Sequence, residues 1–364
     1  MYFRTILSQE PTQATREMSQ ATAERSNDCQ AAKDGREHRA LSGDLGPLRN
    51  IAALDKMREG QPLFTRALLE QAAKDVEMLQ DPGNWKVNIS IPHVLGDGVF
   101  TTEVPFDQYH PRTLRFVRSL EMVEVEPVGA CAPYDVAQDW NINRITATDT
   151  LKPNDSEQPL RQLVATLPDP PDLQEVRAIE AELLGSPFWA NLKPQLEHMP
   201  VRIDNIVCVA LGDLYPTSHP DEDELLSQRH SSQHLLACAI SRHLSQHYAS
   251  TDSPAADIPI IAYDPSYTLR SLDLLSRLSP PIDIVSSPHH FLSITPNTLI
   301  VMFCMPCFDP FHEIVADACF PSGPAAILSN EVWNHSWHED GMAAYFEQWT
   351  PRVGRMLERY EKKW

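Results

Sequence analysis

Among residues whose spacing could support chemistry, Cys304-Met305-Pro306-Cys307 is the sharpest local motif. It follows an apolar run and precedes a helical pattern. A thiol at a helix N-terminus has a lowered pKa, so a Cys-x-x-Cys pair placed there suits redox chemistry. The motif follows the fourth strand-like run of its region, whereas a thioredoxin-like unit carries it after the first. Zinc would need two further ligands, and the nearest candidates are His312 and His289-His290. A redox role stays open and no metal is expected.

Gly212-Asp213 ends the apolar run 206–211, the usual place for a phosphate loop. A dinucleotide fingerprint needs Gly-x-Gly-x-x-Gly, so that the backbone can approach a pyrophosphate at a helix N-terminus. Only one glycine is present, and a long acidic loop follows. Asp264 ends the next strand-like run, where such folds hold a ribose hydroxyl with an acid. The competing reading is an Asx-turn before Pro265. His230 and His234 lie four apart on one helix face, as do His243 and His247. The nine-residue step between the pairs turns half a circle, so they cannot form one site. We read them as solvated or capping. Asn334-His335-Ser336-Trp337-His338 carries no nucleophile elbow and reads as a cap with an aromatic anchor.

The elements that must position these residues follow from periodicity. Residues 62–80 carry Leu68, Leu69, Ala72, Ala73, Val76 and Leu79 at helical spacing, stopped by Asp81-Pro82-Gly83. Residues 85–91 alternate as a strand, residues 99–104 form a second, and 122–128 a third candidate. From residue 203, apolar runs at 206–211, 259–263, 282–285, 298–303 and 325–328 alternate with helical patterns. Continuous apolar runs of this length are strands buried on both faces. A last apolar stripe runs from Met342 to Tyr360, with Pro351 forcing a kink or restart.

This pattern predicts an α/β fold, Rossmann-like, with a mainly parallel five-stranded sheet of order 3-2-1-4-5 and a small N-terminal α+β region. The expected organisation is a disordered tail over 1–45, an α+β region over 46–131, a proline-rich linker or long loop over 132–172, and the main domain over 173–364. In such a sheet the ligand crevice lies at the carboxyl ends of strands one and four. That places the candidate ligand-binding residues at Gly212, Asp213, Asp264, Met305, Pro306 and Cys307.

The bulk properties restrict partners. The formal net charge of -20 disfavours nucleic acid and anionic membranes. No signal-like or membrane-spanning run is found, and the odd count of seven scattered cysteines reads as reduced thiols. The expected location is cytosol or nucleus, and the expected partners are proteins.

Four segments resemble the sensitivity-to-red-light-reduced (SRR) family. They are the strand ending Ala210-Leu211-Gly212-Asp213, the helix segment Gln233-His234-Leu235-Leu236, the turn Tyr263-Asp264-Pro265-Ser266-Tyr267-Thr268, and the run from Thr298 through Met305-Pro306-Cys307. The family's segment reads Met-Pro-His-Cys; here the histidine is missing. Residues 62–80, with Leu63-Phe64-Thr65, resemble fungal members. The resemblance spans about residues 200–330. It implies a regulatory or interaction protein linked to light, clock, cytoskeletal or haem regulation, with no named reaction. The alternative is an enzyme binding a nucleoside-containing ligand, most plausibly an adenosylmethionine-dependent methyltransferase with Asp264 on the ribose. No cofactor is expected under the first reading; adenosylmethionine and haem stay open.

Overall fold

The computed structural model describes residues 2–4, 56, 58, 60–81, 83–84, 86–92, 99–105, 112–116, 134–138, 172–214, 220–251, 257–267, 269–303, 310–329, 350–360 and 362–363. The N-terminal helix α1 (Arg66–Gln80) starts where Thr65 caps it, the threonine side chain accepting from the Leu68 N–H at 3.2 Å. Its apolar stripe, Leu69, Ala72, Ala73, Val76 and Leu79, is buried. Strands β2 (Lys86–Pro92) and β3 (Val99–Pro105) pair antiparallel, and β2 alternates exposed and buried as its period-two pattern predicts. A second antiparallel pair joins β4 (Arg112–Phe116) to β5 (Tyr134–Gln138). β5 lies inside the stretch read from sequence as linker; the strand expected at 122–128 lies outside the described residues. Tyr134 is fully buried and donates its hydroxyl to Asp75 Oδ2 at 2.9 Å.

The five apolar runs become β6 (Asn205–Val209), β7 (Ile260–Tyr263), β8 (Ile282–Ile284), β9 (Thr298–Met302) and β10 (Ala326–Ser329). All pair in parallel. Two short strands that periodicity did not reveal extend the sheet beyond β10. They are β1 (Tyr2–Arg4), within the segment expected to be disordered, and β11 (Lys362–Lys363). The sheet therefore runs β11-β1-β10-β9-β6-β7-β8.

Side chains of each central strand alternate between two cores. Ile206 and Cys208 of β6 join a core with α2 (Asp172–Gly185), α3 (Pro187–Glu197), α4 (Pro220–Thr251) and α5 (Leu269–Ser276). Val207 and Val209 face the other core. There they meet α6 (His289–Leu292), α7 (Phe311–Ala318), α8 (Pro351–Leu357) and the buried residues of the N-terminal elements. Burial on both faces explains why these strands read as continuous apolar runs. Pro351 opens α8 with Thr350 as its cap, and the earlier part of the C-terminal stripe lies outside the described residues.

Asp317 ties three distant segments together. Its Oδ2 accepts from the backbone N–H groups of Leu63 at 2.8 Å and Phe64 at 3.0 Å, and from Arg352 at 2.9 Å. Arg352 also pairs with Glu313 at 3.0 Å. All three side chains are buried. Removing one member would strand a buried charge, at a cost of roughly 3–5 kcal/mol.

Candidate functional site

The crossovers from β6 to β7 and from β7 to β8 run through α4 and α5 on one face. Those from β8 to β9 and from β9 to β10 run through α6 and α7 on the other. Connections thus leave to opposite faces on either side of the β6–β9 pair. At the carboxyl end of such a pair, α/β sheets commonly open a crevice.

The backbone after β6 is special. Ala210 has φ 54° and Gly212 φ 81°, both left-handed. The Ala210 N–H still donates to the Tyr263 carbonyl at 3.1 Å, continuing the β6–β7 ladder. The Gly212 N–H then donates to Asp264 Oδ2 at 2.7 Å. The other oxygen of Asp264 accepts from the Ser266 N–H at 2.7 Å, an Asx-turn. A side chain at position 212 would meet the His230 ring at 2.4 Å, so glycine is required by both space and φ.

The structure therefore brings Gly212, Asp213 and Asp264 together, whereas Met305, Pro306 and Cys307 lie outside the described residues, as does Cys304. Asp213 turns inward: its side chain is buried and accepts from the Ser271 hydroxyl. Its carbonyl accepts from His230 Nδ1 at 2.7 Å.

Reading His234 as solvated or capping is corrected by the fold. His234 is fully buried, and burial lowers its imidazole to about 4. It is therefore neutral at physiological pH. Its Nδ1–H donates to the His230 carbonyl at 2.7 Å, and its Nε2 accepts the Tyr267 hydroxyl at 2.8 Å. Burial also pushes the Tyr267 hydroxyl well above its usual range, so that proton stays. His243 points elsewhere, pairing with Glu197 at 3.0 Å and meeting the Trp189 ring edge-on. The i, i+4 spacing of His230 and His234 was visible in the sequence. Their partners were not: the Asp213 carbonyl for His230 and the Tyr267 hydroxyl for His234.

On the opposite face of the same sheet edge lies a cleft of about 50 Å³. The carboxyl ends of β6 and β7, the start of α7, and β4 enclose it. Aromatic rings line it: Phe116, Tyr263, His290, Phe291 and Phe311. His290 stacks on Tyr263, with centroids 4.2 Å apart and planes within 10°. Phe116 meets Phe291 edge-on at 5.6 Å. Burial lowers the His290 imidazole to about 3. Its Nδ1 is buried with no hydrogen-bond partner.

Among the described residues no group of three or more His, Cys, Asp or Glu could hold a metal ion. No helix of the described residues is long and apolar enough to cross a membrane. Cys208, Cys238 and Cys319 are buried free thiols, and burial raises all three, Cys319 to about 12.

Fold and site together define an α/β protein with a parallel sheet, in which Asp264 ties the turn after β6 to the turn after β7. Residues 190–363, just under half of the chain, match the SRR1 domain family, which supports an SRR-like domain there. No curated protein matches the chain, and no solved structure does.

Proposed function

We propose that this chain is a regulatory or interaction protein built on a Rossmann-like SRR domain, of fungal type, acting on protein partners in cytosol or nucleus without catalysing a reaction. The neighbour sequence β8-β7-β6-β9-β10 supports a 3-2-1-4-5 order counted from β6. One observation carries the non-catalytic reading. Asp264, the residue that would hold a ribose, has both oxygens engaged by the Gly212 and Ser266 amides. The same bond occupies the Gly212 amide that a phosphate would need.

The alternative, an adenosylmethionine-dependent enzyme, would have Asp264 accept the ribose hydroxyls on the lone pairs that the Gly212 and Ser266 amides leave.

A thermal-shift series with adenosylmethionine, NAD, NADP and haem tests the proposal. A ligand at about 100 times its dissociation constant stabilises by ~2.7 kcal/mol. We expect no shift with any of the four. A shift with adenosylmethionine that Asp264→Asn removes would overturn the reading.

A further inference from the structure

We propose that the outer edge of β3 is a docking site for an extended segment of a partner protein, one that alternates apolar and basic side chains and pairs with β3 as an added strand. The inference rests on the interaction reading and names its surface and the kind of partner. It does not involve the Asp264 crevice, so the ligand series above and the test below can fail separately.

The first observation is an open edge. Among the described residues β3 pairs with β2 alone, in an unbroken antiparallel register over seven residues. Natural edge strands are guarded by short length, a bulge, proline or lysine. From Val99 to Val104 β3 has none of these, and its sequence Val-Phe-Thr-Thr-Glu-Val is rich in residues that favour strands.

The second is where burial stops. On the inward face Val87, Ile89 and Ile91 of β2 are buried in the core they share with α1. Their partners across the ladder are Val104, Thr102 and Phe100. Val104 is buried, whereas Thr102 is exposed and Phe100 is 40% exposed. On the outward face Val99 is 57% exposed. Apolar surface thus runs past the last strand of this sheet. A strand added beside β3 would cover Phe100 on one face and Val99 on the other, while its backbone bonded the edge.

The third is charge, which selects the occupant. Side chains of an added strand point alternately to the two faces. Those beside Phe100 and Thr102 would be apolar. Those on the other face meet Glu103, the one ionised side chain of β3, which is 55% exposed. Its pair with Lys86 of β2 is exposed on both sides and therefore weak. A basic residue complements Glu103 there, and the chain's formal net charge of -20 steers a cationic segment in. The same charge opposes a second copy of this chain at the edge.

The test is fluorescence anisotropy on the full chain with a labelled peptide, Lys-Val-Lys-Val-Lys-Val. A control peptide of the same sequence carries a methyl on every backbone nitrogen, which keeps charge and side chains but leaves no backbone donor. We expect saturable binding of the first and none of the second. Thr102→Lys places a guarding charge at an exposed edge position and should weaken binding by about tenfold or more. Ala178→Lys makes the same charge change at an exposed position of α2 and should leave affinity within about twofold. If Thr102→Lys gives no cooperative melt, Val99→Lys takes its place. No binding of the first peptide, equal binding of the methylated one, or equal affinities in Thr102→Lys and Ala178→Lys each overturn the proposal. So does a dimer of the unsubstituted chain that Thr102→Lys dissociates, since a second copy would then hold the edge.

Discussion

The Gly212 amide and the Asp264 carboxylate meet at 2.7 Å, the same bond that extends the β6–β7 pairing one step past the last ladder hydrogen bond. Asp264→Ala would leave the Gly212 and Ser266 amides without their acceptor in a half-buried loop. The cost should be about 1–3 kcal/mol in urea unfolding. A loss under about 0.3 kcal/mol would mean that water replaces the carboxylate freely.

Gly212→Ala adds a methyl into the His230 ring at a left-handed φ. The backbone alone costs roughly 1–2 kcal/mol, and the collision raises the total to about 2–4 kcal/mol. His230→Ala removes the obstacle but not the φ. The double variant should therefore lose less than the two single losses combined, by about 1 kcal/mol or more. Strict additivity in a double-mutant cycle would contradict the packing.

His234 and His290 make the fold acid-sensitive. Their ordinary value is 6.5, and burial holds them at about 4 and about 3. As pH falls below 6.5, the unfolded chain takes up protons that the folded chain refuses. Stability from these groups is thus present above pH 6.5 and lost as pH drops toward 4 and then 3. His234 alone accounts for about 3 kcal/mol over its window. Urea titrations at pH 7.5, 6 and 5 should show falling stability. In His290→Phe the slope against pH should shrink by up to about one proton; an unchanged slope would remove His290 from the account.

Arg352→Met removes the guanidinium that the buried carboxylates of Glu313 and Asp317 share. We expect a loss of about 3–5 kcal/mol. Adding Glu313→Leu removes one of the two uncompensated charges and should restore part of that loss. If the double variant is less stable than Arg352→Met, the two groups do not share one charge balance.

The N-terminal elements complete the second core. Phe64, Leu69, Ile89, Phe116 and Tyr134 pack in the same cluster as Val207, Phe291, Phe311 and Val353. A fragment of residues 172–364, which contains the whole SRR1 match, should therefore expose Phe291 and Phe311. It should bind a hydrophobic dye and melt without a sharp transition, whereas the full chain melts cooperatively. A fragment melting within a few degrees of the full chain would make the N-terminal elements a separate unit.

The sequence by itself determined the elements whose cause is local or repetitive. The run 298–303 reads as a doubly buried strand because β9 is buried at every position. The stripe from Leu68 to Leu79 reads as α1 because burial on one side imposes helical spacing. Order and spacing of four segments were enough to suggest the SRR family, which the match over 190–363 supports. The sequence also placed Gly212, Asp213 and Asp264 at one sheet edge.

Only the tertiary structure decided what those residues do there. Asp264 could equally have faced a ribose; the left-handed turn at Gly212 brings an amide to it instead. β1 and β11 carry too few residues for any periodicity, and become strands by pairing, β1 on the edge of β10 and β11 on the edge of β1. β5 lies in a proline-rich neighbourhood and is made a strand by pairing with β4. Asp317 meets Leu63 across 254 positions of chain. Hydrogen bonds and charge pairs of this kind depend on where distant backbone comes to rest. A sequence records the groups that can form them, and the packed core decides which of them meet.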